Sequence, residues 1–377
     1  MAVPLIQQIR VGAYILKQKL AGRARYPLVL MLEPLFRCNL ACPGCGKIAH
    51  PDDILNKRLS VEDCVAAAEE CGAPIVSIPG GEPLIHKEMP QIVKALIARK
   101  KFVYLCTNGL LLEKKLDDYD PSPYLTFSVH LDGLGRDHDR AVGQDGVFER
   151  TVSAIRAALN RGHRVTVNCT LFNDAEPRKA ADFFDFVMAL GVESITVSAG
   201  YAYEKASAQE HFLSRTQTKA LFRELFRIQK QEKKRWRFNQ SLFYLDFLAG
   251  NRRYQCTPWG NPTYNVFGWQ QPCYLIDEGH APTFRALMEE TDWAAYGVGR
   301  YEKCSDCMVH SGFEPTAVND MVSHPLQALK LLIKGIRTEG PMAEDFDLSG
   351  ARAVREESGS GEKTAENPPQ TAERKRA

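Results

Sequence analysis

No stretch of this chain comes near 18 consecutive apolar residues, so no membrane-crossing helix is expected. The apolar core of a secretory signal is also missing, because Gln7, Gln8, Arg10, Lys17 and Lys19 interrupt the place it would occupy. Acidic residues are lacking from positions 1–32, which hold Arg10, Lys17, Lys19, Arg23 and Arg25. Net charge is small too: 48 basic against 46 acidic side chains leave +2, too little for a dedicated nucleic-acid binder. Cysteine, by contrast, is plentiful. Eleven thiols without a secretion signal point to a reducing compartment and to thiols kept for metal or chemistry. The cytoplasm is the expected location. Leu5, Ile9, Gly12, Leu16 and Leu20 recur at helical spacing through the basic N-terminal segment, which gives a helix suited either to the inner face of a membrane or to docking on the protein.

A fourth cysteine is missing where one would close a metal site. Cys38, Cys42 and Cys45 form a Cys-x₃-Cys-x₂-Cys run just after the apolar segment 27–33. A structural zinc or a fully ligated iron–sulfur cube takes four protein ligands. Three thiolates on a four-iron cube leave one iron open to a small molecule; the competing reading is a zinc knuckle short of one ligand.

From residue 27 short apolar runs alternate with amphipathic helices. Strands are expected at 28–33, 75–79, 102–107, 125–131, 164–171 and 194–198, and helices at 60–71, 89–100, 111–119, 146–160 and 177–190. Ser60 with Asp63 forms a capping-box pattern, and Gly72, Gly162 and Gly191 stand at helix ends. Six β-α units predict a parallel sheet curled into a partial (β/α)₆ barrel; a complete eight-stranded barrel would need two more. Past residue 200 a charged helix over 214–234 leads into a segment, 236–315, rich in Trp, Tyr, Pro and Gly and holding four more cysteines. The reading is therefore an N-terminal segment 1–26, a core 27–200, a smaller cysteine-containing C-terminal domain 201–345 that covers the substrate, and a disordered tail 346–377 poor in aromatic and branched apolar residues.

Each later strand ends on a polar motif. Gly80-Gly81-Glu82-Pro83 follows the second, Thr107-Asn108-Gly109 ends the third, Ser128 through Gly133 the fourth and Asn168-Cys169-Thr170 the fifth. Any one of these reads most simply as a turn or a strand-to-loop transition. In register with the cysteine run, over about residues 27–200, they resemble the radical S-adenosylmethionine (SAM) superfamily. The resemblance implies a [4Fe-4S] cluster on Cys38, Cys42 and Cys45 whose open iron chelates SAM. It implies that Gly80, Gly81, Glu82 and Pro83 hold the SAM amino group, with Asn108, Ser128, His130 and Asn168 as further cofactor contacts. One position departs: the family's aromatic residue before the third cysteine is Gly44 here, so another side chain or the backbone has to meet the adenine.

Strand alternation sends Cys106 and Asn108 inward on the third strand, Ser128, His130 and Asp132 on the fourth, and Thr166, Asn168 and Thr170 on the fifth. Cys64, Cys71 and Cys169 are expected as small core hydrophobes. Cys256, Gly268 and Cys273 make Cys-x₁₁-Gly-x₄-Cys, followed by Cys304-x₂-Cys307. This set resembles the auxiliary-cluster domains of radical SAM enzymes, which implies a second iron–sulfur cluster; zinc suits the same thiolates. Over residues 1–345 the chain is similar to radical SAM transferases of bacterial hopanoid side-chain synthesis. That likeness implies transfer of the 5′-deoxyadenosyl group of SAM to the terminal alkene of diploptene, with flavodoxin or ferredoxin as electron donor. Cys106 is then the expected catalytic hydrogen donor to the substrate radical. The alternatives are a peptide maturase with an auxiliary cluster and a non-catalytic iron–sulfur scaffold.

Overall fold

A basic helix, α1 (Leu5–Leu20), precedes the alternating core in the computed structural model, which describes residues 3–201 and 205–353. The strands that follow are β1 (Val29–Glu33), β2 (Ile75–Ile78), β3 (Phe102–Thr107), β4 (Leu125–His130), β5 (Arg164–Leu171) and β6 (Ser194–Ala199). They pair in sequence order and in parallel. Parallel neighbours need crossovers, supplied chiefly by α2 (Val61–Cys71), α3 (Met89–Ala98), α4 (Val147–Asn160) and α5 (Pro177–Ala189). The Ser60–Asp63 capping box is formed in both directions at the start of α2. Between β3 and β4 the expected single helix is instead a short one, Leu112–Lys115, running into a tight turn at Leu116–Asp118. Asp117 and Asp118 sit at the negative end of that helix and oppose its extension.

Period-two alternation divides each strand. Leu30, Leu32, Val76, Ile78, Val103, Leu105, Phe127, Val129, Val165, Val167, Ile195 and Val197 join the helices in one buried core. The opposite face carries Ser77, Tyr104, Cys106, Ser128, His130 and Asn168, and forms the interior of the curved sheet. Cys64, Cys71 and Cys169 are buried packing residues, as expected. Helix α1 docks on the core: Gln7 Nε2 donates to the Tyr104 hydroxyl at 3.0 Å, and Ile15 packs with Tyr26 and Leu28.

The C-terminal segment continues the same sheet. β7 (Thr263–Asn265) pairs in parallel with β1, and β8 (Gly268–Cys273) and β9 (Ile276–Ala281) extend the edge antiparallel. The order is β6-β5-β4-β3-β2-β1-β7-β8-β9. Around it lie α6 (Arg215–Gln231), α7 (Leu242–Leu248), α8 (His310–Ser323) and α9 (Pro325–Lys334). The aromatics of 236–274, read from the sequence as a substrate cover, mostly serve as core: Trp236, Phe243, Tyr244, Phe247 and Trp269 are all buried. The reason is that six of the seven residues of α7, Phe243–Leu248, are buried, which leaves its aromatics no solvent-facing side.

The start of the expected tail is also held. Arg253 lies over the Phe346 ring at 4.1 Å, the Arg352 amide donates to Arg300 O at 2.8 Å, and the Glu302 amide donates to Arg352 O at 3.0 Å. One aromatic and one arginine anchor this run despite its poor composition. The rest of the tail, 354–377, lies outside the described residues.

Candidate functional site

The three cysteines sit on the loop leaving β1, at the carboxyl end of the sheet, where open α/β folds meet their ligands. Cys38 and Cys42 are half-buried and Cys45 is more exposed. Burial pushes the Cys38 thiol up to about 11 and the Cys42 thiol up to about 12. Desolvation raises the Cys45 thiol as well, against the pull of the Lys47 amide and ammonium toward thiolate. Hydrogen-bond donors already point at sulfur: the Leu40 amide lies 3.4 Å from Cys38 Sγ and Asn108 Nδ2 lies 3.8 Å from it. Among the described residues, no group of three or more His, Cys, Asp or Glu side chains converges closely enough for a single metal ion. Three soft sulfurs with amide donors are the ligand set for an iron–sulfur cube with one iron left open.

The Gly80–Pro83 turn is pressed against the root of this loop. A side chain at Gly80 would meet Leu35 O at 2.5 Å, and one at Gly81 would meet Arg37 O at 2.1 Å. Gly80 also has φ +111°, a conformation open to glycine. Through that close approach the Gly81 and Glu82 amides donate to Leu35 O and Arg37 O, at 3.0 and 2.9 Å.

Glu82 is turned into the protein. Its carboxylate is fully buried and accepts from the Leu84 amide at 3.0 Å, the Thr107 hydroxyl at 2.9 Å and the Asn108 amide at 2.8 Å. It therefore ties the second strand end to the third. Pro83, buried beside it, opens the short turn Pro83–Ile85. Asn108 continues the tie: its Nδ2 donates to Asn39 Oδ1 at 2.8 Å and its Oδ1 accepts from the Leu110 amide at 3.0 Å.

Deeper inside, Cys106 is half-buried with Ser77 Oγ 3.5 Å away, and Ser128, its register partner on β4, also bonds to it. Burial pushes the thiol up, so it stays protonated. One step nearer the strand ends, His130 stands opposite Asn168. Burial opposes charge on His130, but Asp132 Oδ2 at 3.0 Å from Nε2 outweighs it and raises the imidazole. Asp132 itself accepts from the Thr170 amide at 2.7 Å. Ser128, His130 and Asn168 thus share one wall, as the alternation requires.

Two features carried no motif. Lys47 is buried with its ammonium 2.8 Å from Glu33 Oε2 and 4.5 Å from the centre of the Tyr274 ring, placing a cation beside Cys45. The available signal was a carboxylate ending an otherwise apolar strand. Phe172, just past β5, fills the space at Gly44: a side chain there would meet its ring at 2.9 Å, and one at Gly200 would meet it at 2.7 Å. Pro43, Gly44, Asp132, Thr170 and Phe172 line an open groove beside the cysteine loop. The aromatic that the cysteine loop lacks is thus supplied from the end of a strand.

Cys256, Cys273, Cys304 and Cys307 come together in the C-terminal segment, all lining one small apolar cavity with Tyr201 and Val309.

Known proteins give this arrangement a context. The family model described as Radical SAM superfamily matches residues 32–187, and a domain of unknown function, DUF3463, matches 195–331. The chain is 25% identical over 155 residues to GTP 3′,8-cyclase of Clostridium perfringens, covering 40% of this chain and 48% of that protein. It is 29% identical over 168 residues to molybdenum cofactor biosynthesis protein 1 of Drosophila melanogaster, covering 43% of this chain and 30% of that one. Both matches span less than half of the relative's length. In fold the chain is similar to Streptococcus suis SuiB bound to precursor peptide SuiA, with TM-score 0.59, 16% identity and 82% of this chain on 75% of that one. It is also similar to anSMEcpe with bound AdoMet and a peptide, at TM-score 0.54 and 15% identity, covering 82% of this chain and 99% of that one. Residues 32–187 match the radical SAM superfamily, whose cofactors are a [4Fe-4S] cluster and SAM, and the three-thiol loop suits both.

Proposed function

We propose that this protein is an adenosylhopane synthase, a transferase that adds the 5′-deoxyadenosyl group of SAM to the terminal alkene carbon of diploptene. The observation that carries the reading is Cys106: a half-buried thiol on the interior face, two residues before the asparagine that bonds to Cys38. The substrate identity rests on the sequence resemblance alone.

Cys38, Cys42 and Cys45 would hold the cluster, with Asn108 and the Leu40 amide directed at Cys38. Backbone of the Gly80–Pro83 turn, rather than the Glu82 carboxylate, would face the SAM amino group, and His130, Ser128 and Asn168 would line its other side. Phe172 would take the place of the missing loop aromatic against the adenine. When bound and reduced, the cluster would supply the one electron that splits the SAM sulfur–carbon bond into methionine, which leaves, and a 5′-deoxyadenosyl radical. Its addition to the alkene forms one carbon–carbon bond and leaves a tertiary carbon radical on the substrate. Cys106 gives that carbon a hydrogen atom, because a thiol S–H bond is weaker than the tertiary C–H bond formed. One electron and one proton, drawn from a flavodoxin- or ferredoxin-type reductant, restore the thiol. The chain's part is to hold the reactants close and to fix the face from which hydrogen arrives.

The test runs the anaerobic protein with SAM, reductant and diploptene, following SAM cleavage and product separately. Alanine at Cys38, Cys42 or Cys45 should abolish cleavage, whereas Cys106→Ala should retain it and yield less adenosylhopane or a mixture of epimers. Wild-type protein that cleaves SAM without consuming diploptene would overturn the substrate. An unchanged single epimer from Cys106→Ala would remove that residue from the mechanism.

A further inference from the structure

Cys256 precedes the Pro258–Gly260 turn, Cys273 ends β8, and Cys304 and Cys307 flank a turn before α8. All four nevertheless line one cavity, whose other walls include Tyr201, Leu275, Val298 and Phe313. Backbone amides are aimed at three of the sulfurs: Leu275 and Ile276 toward Cys273, Val309 toward Cys307 and Gly297 toward Cys304. Four thiols on one cavity, three of them with amides aimed at sulfur, are more than packing requires, since a core cysteine behaves as a small hydrophobe.

From this geometry we propose a second metal centre, a [4Fe-4S] cluster ligated by Cys256, Cys273, Cys304 and Cys307. All four cysteines line that cavity, and a cluster needs room between its ligands that a single tetrahedral ion does not. With all four corners held by protein, this centre has no open iron and cannot bind SAM. It pins the β8–β9 edge to the segment before α8.

The test is iron, sulfide and zinc quantification after anaerobic reconstitution of the full chain. The Cys38/Cys42/Cys45 triple alanine variant should retain about four irons and four sulfides, about half the wild-type load. Cys304→Ser/Cys307→Ser should lose the same half while still cleaving SAM, which guards against a folding failure in the triple variant. Zinc in place of iron, or wild-type iron unchanged by the double substitution, would overturn the proposal. The two half-losses also separate its failure from failure of the SAM-cluster assignment.

A different observation carries a second inference. Leu326, Leu329, Leu332 and Ile333 of α9 are 80%, 53%, 67% and 75% exposed, and Leu5, Ile9, Leu16 and Leu20 of α1 are 59%, 61%, 56% and 80% exposed. The two helices meet at one corner, where Lys19 Nζ donates to Ser323 Oγ at 2.6 Å, two residues before α9 begins. Neither helix has an acidic residue, and together they carry Arg10, Lys17, Lys19, Lys330 and Lys334. Exposed aliphatics among unopposed cations fit the interface of an anionic bilayer. We infer that α1 and α9 form a docking face for such a membrane.

Flotation with vesicles of phosphatidylcholine, alone or with phosphatidylglycerol, tests it. Binding should require the anionic lipid, weaken as salt rises, and fall about tenfold or more when Leu326, Leu329, Leu332 and Ile333 are changed to serine. Equal binding by this variant and the wild type would overturn the inference. So would wild-type dimers in lipid-free solution that the same changes abolish, since the face would then belong to a second copy.

Discussion

Glu314 shows how much a single buried carboxyl can report. It lies in α8, where Oε1 accepts the Ser241 amide at 2.7 Å and Oε2 has no partner among the described residues. Burial pushes its pKa from the ordinary 4.5 up to about 7. Between those values the folded chain keeps a proton that the unfolded chain has released. This group's contribution to stability therefore falls as pH rises from about 4.5 to 7 and is level on either side. Glu314→Gln should remove that slope, so the variant gains on the wild type in urea midpoint between pH 5 and pH 8. Parallel midpoint curves would contradict the assignment. The same scale shows where the sequence could be read. Cysteine spacing and strand alternation gave Cys38, Cys42, Cys45 and Cys106 their places, because both depend on local periodicity. The turning of Glu82 into the protein, the Lys47–Glu33 pair and the reach of Phe172 to Gly44 depend on distant chain segments meeting, and no local pattern encodes that.

Among the elements, the six parallel strands fall within a residue or two of the apolar runs that predicted them. Long crossovers separate them, and their buried faces read plainly as branched aliphatic residues. β7, β8 and β9 were not legible: β7 has three residues, and β8 carries a glycine and a proline, so neither offers a clean alternation. Caps were readable because their logic is local. Ser60→Ala should cost about 1 kcal/mol by stranding the Asp63 amide and loosening the first turn of α2. Urea denaturation checks this; a shift well under half that size would mean that packing, not the cap, sets where α2 starts.

In the whole molecule the two family matches do not correspond to two independent sheets, since β7 lies directly beside β1. A fragment of residues 1–200 would keep all six parallel strands yet leave the β1 edge bare. Such an edge is a template for pairing with other chains. The fragment should therefore associate or precipitate under conditions where the full chain stays dispersed, as size-exclusion chromatography would show. A monodisperse monomeric fragment would mean that the edge is covered in some other way.

That pairing also has a history in time. β1 is made near the start of synthesis, and its partner Thr263–Asn265 follows about 230 residues later. At ribosomal speeds of about 5–20 residues per second, one side of the central strand waits roughly 10–50 seconds for its neighbour. The cysteine loop that leaves β1 is complete throughout that interval, before the segment that borders it on that side exists. The Phe36 ring, at the root of that loop, thus waits as long for Phe267, which packs on it at 5.8 Å in the finished fold.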